Sequence, residues 1–199
     1  MALSGWKVEP ISFQSAKPFV EKWHYSHKTK GLIVQQCFGL FRPRPEFYGI
    51  PEMVGVMIYA LPMISRVRKK YSTEDPSKCV ELARLCCINN TPKNAESFFI
   101  SKTLKWLKKN TPFEVVISYA DPLYGHDGTI YKASNFEYLG LTEARKQFVI
   151  DGKSYHERVF SKPFVSEKFA KARQRYENGD SNVYFEKLEA KHIYFYRLR

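Results

Sequence analysis

The sequence predicts an α/β fold, a sheet of mixed strand direction with helices packed on it, and three observations carry that expectation. Two apolar runs of strand length, Leu32 to Phe41 and Met53 to Ala60, flank a proline-rich loop like the arms of an antiparallel hairpin. Further on, a strand from Cys79 to Ile88, the turn Asn89–Asn94, a helix from about Ala95 to Lys109 and a strand at Phe113 to Ile117 follow one another as a βαβ unit. Finally, Asp151-Gly152, a pair that type I′ hairpins favour, joins strand-like segments at Phe136 to Val149 and Ser154 to Phe160.

Each element has a local reason. Trp6 to Phe13 reads as a first strand. Ser15 can cap a helix with Pro18 in its first turn, running through Phe19, Val20 and Trp23. That helix leads into a basic, aromatic loop bearing His24, Tyr25, Ser26 and His27, and Gly31 releases the chain into the next strand. Pro43 and Pro45 forbid a central strand in Phe41–Pro45. Ser65 to Lys78 carries Arg66, Arg68, Lys69 and Lys70 without periodicity and reads as a mobile basic loop. On the helix at 95–109, Phe99, Ile100, Thr103, Leu104 and Leu107 share one face, opposite Lys102, Lys105 and Lys109. Thr129 to Asn135 is helix-like, and Ser166 to Tyr176 is a basic helix ended by Asn178-Gly179. His192 to Leu198 reads as a final strand, while Val183 to Ala190 fits either helix or strand.

Composition bounds what this fold is for. A chain of 199 residues with 44% hydrophobic and 16% aromatic side chains supports one well-cored domain. Its formal charge of +12 points to a polyanionic partner, a merely basic protein being the plainer reading. No apolar run approaches the roughly 18–20 residues that span a bilayer. The start of the chain resembles no signal peptide. Cys37, Cys79, Cys86 and Cys87 lack a paired C-x-x-C spacing, so buried reduced thiols in the cytoplasm are expected rather than structural zinc.

Chemistry concentrates where the strand at 113–117 ends. Ser118, Tyr119, Asp121, Tyr124, His126 and Tyr131 fall within fourteen residues, punctuated by Pro122, Gly125 and Gly128. Ligands of open α/β sheets sit at such strand ends. The turn at 89–97 feeds a helix N-terminus whose free amides and dipole suit a phosphate, with Lys93, Asn94 and Ser97 adding donors. Thr91 or Asn94 as a simple cap is the plainer alternative. Arg84 lies in an otherwise apolar strand, which calls for a partner among Glu81, Glu96 and Asp121 or for an anionic ligand. His24 and Tyr25 can act as acid, base or metal ligands, or the tyrosine can stack on a base.

The order of strand, turn, helix, strand and helix resembles the GNAT acyltransferase fold, a central mixed, largely antiparallel β-sheet flanked by helices. That resemblance implies an acyl-CoA or other activated donor held at Lys93, Asn94, Ala95 and Ser97, and places Tyr131 where the family's tyrosine protonates the departing thiolate. The segment 89–97 lacks the family's glycine-rich Gln/Arg-x-x-Gly-x-Gly/Ala pattern. More specifically, His24-Tyr25-Ser26, Glu81-Leu-Ala-Arg84-Leu85, Pro92-Lys-Asn94-Ala-Glu-Ser97, Ser118-Tyr-Ala-Asp121-Pro122 and Gly125-His126-Asp-Gly128-Thr-Ile-Tyr131-Lys-Ala-Ser-Asn135 resemble the bacteriophage Mom family. The likeness covers roughly residues 20 to 160.

The Mom resemblance implies a transferase that converts adenine N6 in phage DNA to the carbamoylmethyl form and so shields it from restriction nucleases. The alternative is a GNAT-type N-acyltransferase acting on a small-molecule, protein or RNA amine. Active-site roles are implied for Tyr25, Arg84, Ser97 and Asp121, with His24 nearby, and iron held by His24, Tyr25 and Asp121 is suggested. Ser118, Tyr119, Tyr124 and His126 would line the substrate pocket. Residues 1–160 would form the catalytic domain and 161–199 a helix-and-strand extension packed on it. The partner would be double-stranded DNA with its target adenine flipped out, without membrane contact; a homodimer is one arrangement compatible with the sequence. Adenine N6 is a weak nucleophile, so attack on an activated carbon calls for a base near N6 and donors around developing negative charge. A carbamoylmethyl group is not a simple acyl-transfer product, which leaves the carbon donor open.

Overall fold

A computed structural model describes residues 3–44, 48–71, 75–160 and 166–199. The elements run β1 (Lys7–Ile11), α1 (Phe13–Trp23), β2 (Ile33–Arg42), β3 (Glu52–Leu61), α2 (Ser65–Tyr71), β4 (Cys79–Cys87), α3 (Ala95–Asn110), β5 (Val115–Ala120), α4 (Thr129–Lys132), β6 (Glu137–Leu141), β7 (Arg145–Ile150), β8 (Lys153–His156), α5 (Glu167–Glu177), β9 (Val183–Leu188) and β10 (His192–Arg197). The larger sheet has the order β1-β2-β3-β4-β5-β10-β6 and the smaller β8-β7-β9. Within the larger sheet β4 and β5 pair in parallel, whereas β1–β2, β2–β3, β3–β4 and β5–β10 are antiparallel. The fold is therefore the expected mixed, largely antiparallel sheet around one βαβ crossover.

Strand alternation sorts the side chains of this sheet onto two faces. Val80 and Leu82 of β4, Met57 and Tyr59 of β3 and Val116 of β5 point to one face, where α3 covers them with Phe99, Ile100, Leu104 and Leu107. All five residues expected on the apolar side of α3, Thr103 included, are buried there. On the other face Ala16 and Val20 of α1 pack on Cys37, Val56, Ile58 and Cys86. Also on that face, Val67 and Tyr71 of α2 pack with Cys79, Val115, Ile117 and Tyr119.

Two compact units emerge, one comprising 1–120, 126–140 and 192–199 and the other 121–125 and 141–191. The second holds the β8-β7-β9 sheet and α5 around Phe148, Ile150, Ala172 and Val183. The expected boundary at residue 160 falls inside this second unit, and the last strand, β10, lies between β5 and β6 in the sheet of the first.

Local readings change in four places. The cap of α1 is Ser12, whose oxygen accepts from the Ser15 amide, because Phe13 already has helical geometry. The basic stretch at 65–78 opens as helix α2, since Val67 and Tyr71, four apart, give it an apolar side to bury. β5 continues through Ser118 and Tyr119 to Ala120, held by its ladder with β10. The segment at 136–149 is two strands, of which β7 makes the Asp151-Gly152 hairpin with β8, both turn residues having positive φ as type I′ requires. The undecided segment is β9. Pro45, residues 72–74 of the basic stretch and 161–165 at the expected boundary lie outside the described residues, as do Met1 and Ala2. Among the described residues no helix is long and apolar enough to cross a membrane. The four cysteines are unpaired, and burial pushes the Cys79 and Cys86 thiols up to about 12.

Candidate active site

The site begins with an irregularity in β4. Ile58 pairs with Arg84 and Tyr59 with Leu82, so Ala83 is an extra residue bulged out of the ladder. With strict alternation residue 84 would share the face of Val80 and Leu82, inside the apolar core under α3. The bulge turns Arg84 to the opposite face, alongside Ile58 and Cys86. A guanidinium is thereby kept out of a core where it would be costly. Its partners are carbonyls rather than the carboxylates expected from the sequence: Nη1 donates to Ala83 O at 2.6 Å and Nε to Lys28 O at 3.0 Å. Arg84 thus ties the loop after α1 to the bulge.

That loop carries His24, Tyr25 and Ser26. His24 caps the C-terminus of α1, its amide donating to Val20 O, and is buried. Its Nδ1 accepts the Ser26 amide at 3.1 Å and lies 2.8 Å from the Ser26 hydroxyl. Burial, then the nearby charge of Arg84, then His126 and His27, lower its pKa to about 4. A neutral ring whose Nδ1 accepts a backbone N–H keeps its proton on Nε2, so His24 is a hydrogen-bond donor. The Tyr25 ring lies 4.2 Å from that of His24 and 5.1 Å from that of His126, with Tyr25 40% exposed. His24, Tyr25, Arg84 and His126 are brought together.

A second feature lies between β4 and β5. Their parallel ladder holds only from Cys79–Val115 to Glu81–Ile117, after which the strands part. Ser118, fully buried, bridges the fork by donating to Leu82 O at 3.1 Å. Tyr131 of α4 is buried here as well; burial raises its phenol to about 12, opposed by a hydrogen bond with Ser118. It is a protonated, neutral phenol at ordinary pH. The seat is made by Gly128, at φ 78°, where a Cβ would overlap the Tyr194 ring, while the Tyr194 hydroxyl donates to Asp127 O at 2.7 Å. Tyr119, on the face of α2, is half-buried against Tyr71 and Phe195, and burial raises its pKa.

The turn before α3 is partly as expected. Asn94 occupies the cap position in a left-handed conformation, and its side chain makes no cap hydrogen bond. Asn94, Ser97, Ser101 and Lys105 line a cleft of about 480 Å³ with Ser134 and Asn135, and Lys93 borders a separate opening with Thr91 and Glu96. Ala95 cannot serve a ligand as expected: it is fully buried, and its amide is spent on Pro92 O at 3.1 Å.

Asp121 is 4% exposed and belongs to the second unit, as does Tyr124. Its Oδ1 lies 2.9 Å from Arg145 Nη2 and its Oδ2 2.9 Å from Lys191 Nζ. Burial alone would raise this carboxyl, but Lys191 and Arg145 outweigh burial and hold it below the usual carboxylate range. A carboxylate with both oxygens committed to cations is an anchor and a weak base.

The donor set expected for iron does not fit. Metal binding through His24 Nε2 would move its proton to Nδ1, where the Ser26 amide already points. Both Asp121 oxygens are engaged by cations. Among the described residues no group of three or more His, Cys, Asp or Glu side chains converges. The bonds of Ser26 to the His24 ring, the bulge at Ala83 and the Arg145–Lys191 clamp escaped sequence reasoning. Only the bulge left a trace there, two polar residues three apart, Glu81 and Arg84, in an apolar strand.

This mixed, largely antiparallel sheet is similar in fold to solved acetyltransferase structures. Arabidopsis thaliana NAA60 in complex with acetyl-CoA aligns over 96% of this chain and 98% of its own, with 12% identity and a TM-score of 0.53. A putative acetyltransferase of the GNAT family from Desulfovibrio desulfuricans aligns over 98% and 100%, with 6% identity and a TM-score of 0.52. Spermidine/spermine N-acetyltransferase SpeG from Vibrio cholerae, in complex with manganese ions, aligns over 100% and 95%, again with 6% identity and a TM-score of 0.52. Within that fold the sequence is more specific: residues 5–199 match the model of the Mom protein family, and the chain belongs to it. It is 33% identical over 154 residues to "Methylcarbamoylase mom" of Escherichia phage Mu, an alignment spanning 76% of this chain and 60% of that protein.

Proposed function

We propose that the chain is a phage-type transferase that modifies the N6 of adenine in DNA, adding a carbamoylmethyl group and so protecting the DNA from restriction endonucleases. The observation that carries this reading is the cluster of His24, Tyr25, Arg84 and His126 beside the β4 bulge, in a member of the Mom family. The formal charge of +12 supports a polyanionic substrate over a small amine.

The residues divide the work by their protonation states. The half-exposed Tyr25, against His126, offers a stacking platform for an extruded adenine. His24, with its proton on Nε2, and the cationic Arg84 are donors for the negative charge that develops on the transferred group. Tyr131, protonated in the fork, is the proton source for a leaving group. Asp121 holds Arg145 and Lys191 and takes no proton, so the proton that N6 loses on forming its new bond passes to solvent water. A phosphate-bearing donor such as an acyl-CoA fits the cleft of Asn94, Ser97, Ser101 and Lys105 at the uncapped start of α3. An acyl-CoA there delivers an acyl carbon and releases its thiolate, so a carbamoylmethyl product requires either a donor of another class or a rearrangement of the first adduct.

Nucleoside mass spectrometry on DNA from cells making this protein tests the reading. A new adenine species, absent with a folded Arg84→Ala variant, is the expected result, and its mass names the transferred group. Unmodified DNA beside abundant folded protein would sink the DNA reading and favour N-acyl transfer to another amine.

A further inference from the structure

The corner between β3 and α2 plays no part in the chemistry above, yet its composition is unusual. Met63 and Ile64 are adjacent, and are 64% and 52% exposed. Ile33, also exposed, pairs with Leu61 in the β2–β3 ladder and so lies at the same end of the sheet. Directly after this apolar tip comes α2, with sequence Ser-Arg-Val-Arg-Lys-Lys-Tyr and no acidic residue. Val67 and Tyr71 bind α2 to the sheet, leaving Arg66, Lys69 and Lys70 exposed.

The location gives this composition a use. α2 packs over Cys79, Ile117 and Tyr119, the same face of the sheet to which the bulge turns Arg84 and on which α1 delivers His24 and Tyr25. An apolar tip with a cationic shoulder, on the face that holds the reacting groups, matches what a protein needs to open a duplex. The cations hold phosphates without reading sequence. The apolar side chains enter the base stack and offset the cost of unstacking one step.

We propose that the β3–α2 corner is the duplex-opening element: Met63 and Ile64 wedge into the base stack, and Arg66, Lys69 and Lys70 clamp the flanking phosphates. This rests on the reading that DNA is the substrate.

The test uses the full chain and a duplex of about 30 base pairs carrying 2-aminopurine, which brightens when it leaves the stack, with binding followed by anisotropy across salt concentrations. Wild-type protein binds and raises the fluorescence. Met63→Ala/Ile64→Ala binds within about threefold of wild type but loses at least two thirds of the fluorescence rise. Arg66→Ala/Lys69→Ala/Lys70→Ala loses affinity at least tenfold, and its slope of log affinity against log salt falls by about 2–3. All five side chains changed are at the surface, and unchanged thermal unfolding of both variants shows that folding is intact. If wild type binds and brightens the duplex and both variants do the same, the wedge is overturned while the DNA reading stands. If wild type binds no duplex, both fall. If the apolar variant changes only a monomer–dimer equilibrium, the corner is an interface between copies and the proposal fails.

Discussion

His24 and Asp121 show how protonation separates two residues that sequence alone assigns similar work. Burial and the neighbouring Arg84 depress His24 to about 4, against an ordinary 6.5. Between those values the unfolded chain binds a proton that the folded chain does not, so stability falls as pH drops through this window. The loss should be of order 2 kcal/mol by pH 4, after allowing for solvent access to the ring. Denaturant unfolding at pH 7 and pH 4.5 should show the difference in wild type and a smaller one in His24→Gln, and ¹⁵N NMR should place the His24 proton on Nε2 at pH 7. Equal pH dependence in the two proteins would contradict the buried neutral ring. Asp121 is also depressed, so its stabilisation is present above about pH 4, the unfolded carboxylate value, and is lost as pH falls through the folded one. Asp121→Asn should cost roughly 2–3 kcal/mol at pH 7, because it leaves Arg145 and Lys191 without their carboxylate. A variant of unchanged stability that had lost only activity would instead make Asp121 catalytic.

Among the elements, β4 and α4 do most to shape the site. Deleting Ala83 would restore regular alternation with Arg84 still on the face of Ile58 and Cys86, opposite Val80 and Leu82, but would remove the carbonyl that accepts from Arg84 Nη1. The expected outcome is a chain that folds, seen by circular dichroism, but loses DNA modification by nucleoside mass spectrometry, whereas Ala83→Ser keeps both the bulge and the modification. Gly128→Ala should cost roughly 2–5 kcal/mol, combining a left-handed backbone with overlap on Tyr194, and thermal unfolding measures it. The elements themselves were largely legible. Strand lengths, the βαβ order, the buried face of α3 and the Asp151-Gly152 hairpin all follow from periodicity and turn chemistry, which act over a few residues. What escaped depends on distant contacts. Ser118 reads as the start of a loop until Tyr194 of β10 pairs with it, and the basic stretch at 65–71 reads as a loop until Cys79 and Ile117 supply a surface for Val67 and Tyr71. The cluster of His24, Tyr25, Arg84 and His126 joins three separate stretches, and only its members were visible beforehand.

At the scale of the whole chain the decisive feature is the path of the last strand. The sequence reads as a catalytic domain followed by an extension, but the chain leaves the larger sheet after β6, builds the β8-β7-β9 unit with α5, and returns as β10 between β5 and β6. Removing residues 192–199 would therefore open the middle of a sheet. Ile193, Tyr194 and Leu198 would each leave a buried site. The Tyr194 bond to Asp127 O, the Leu198 amide bond to Glu114 O and the Arg199 bonds to Lys108 O and Thr111 O would go with them. Burial of three such side chains contributes roughly 5–9 kcal/mol, and the β5–β10 ladder adds to it. Since a domain of this size is stable by about 5–15 kcal/mol, the shortened chain should not fold. Circular dichroism and limited proteolysis of residues 1–191 test this directly. A cooperative unfolding transition at the wild-type temperature would mean that the last strand decorates the fold, and loss of that transition that β10 completes the sheet on which Ser118 and Tyr131 are held.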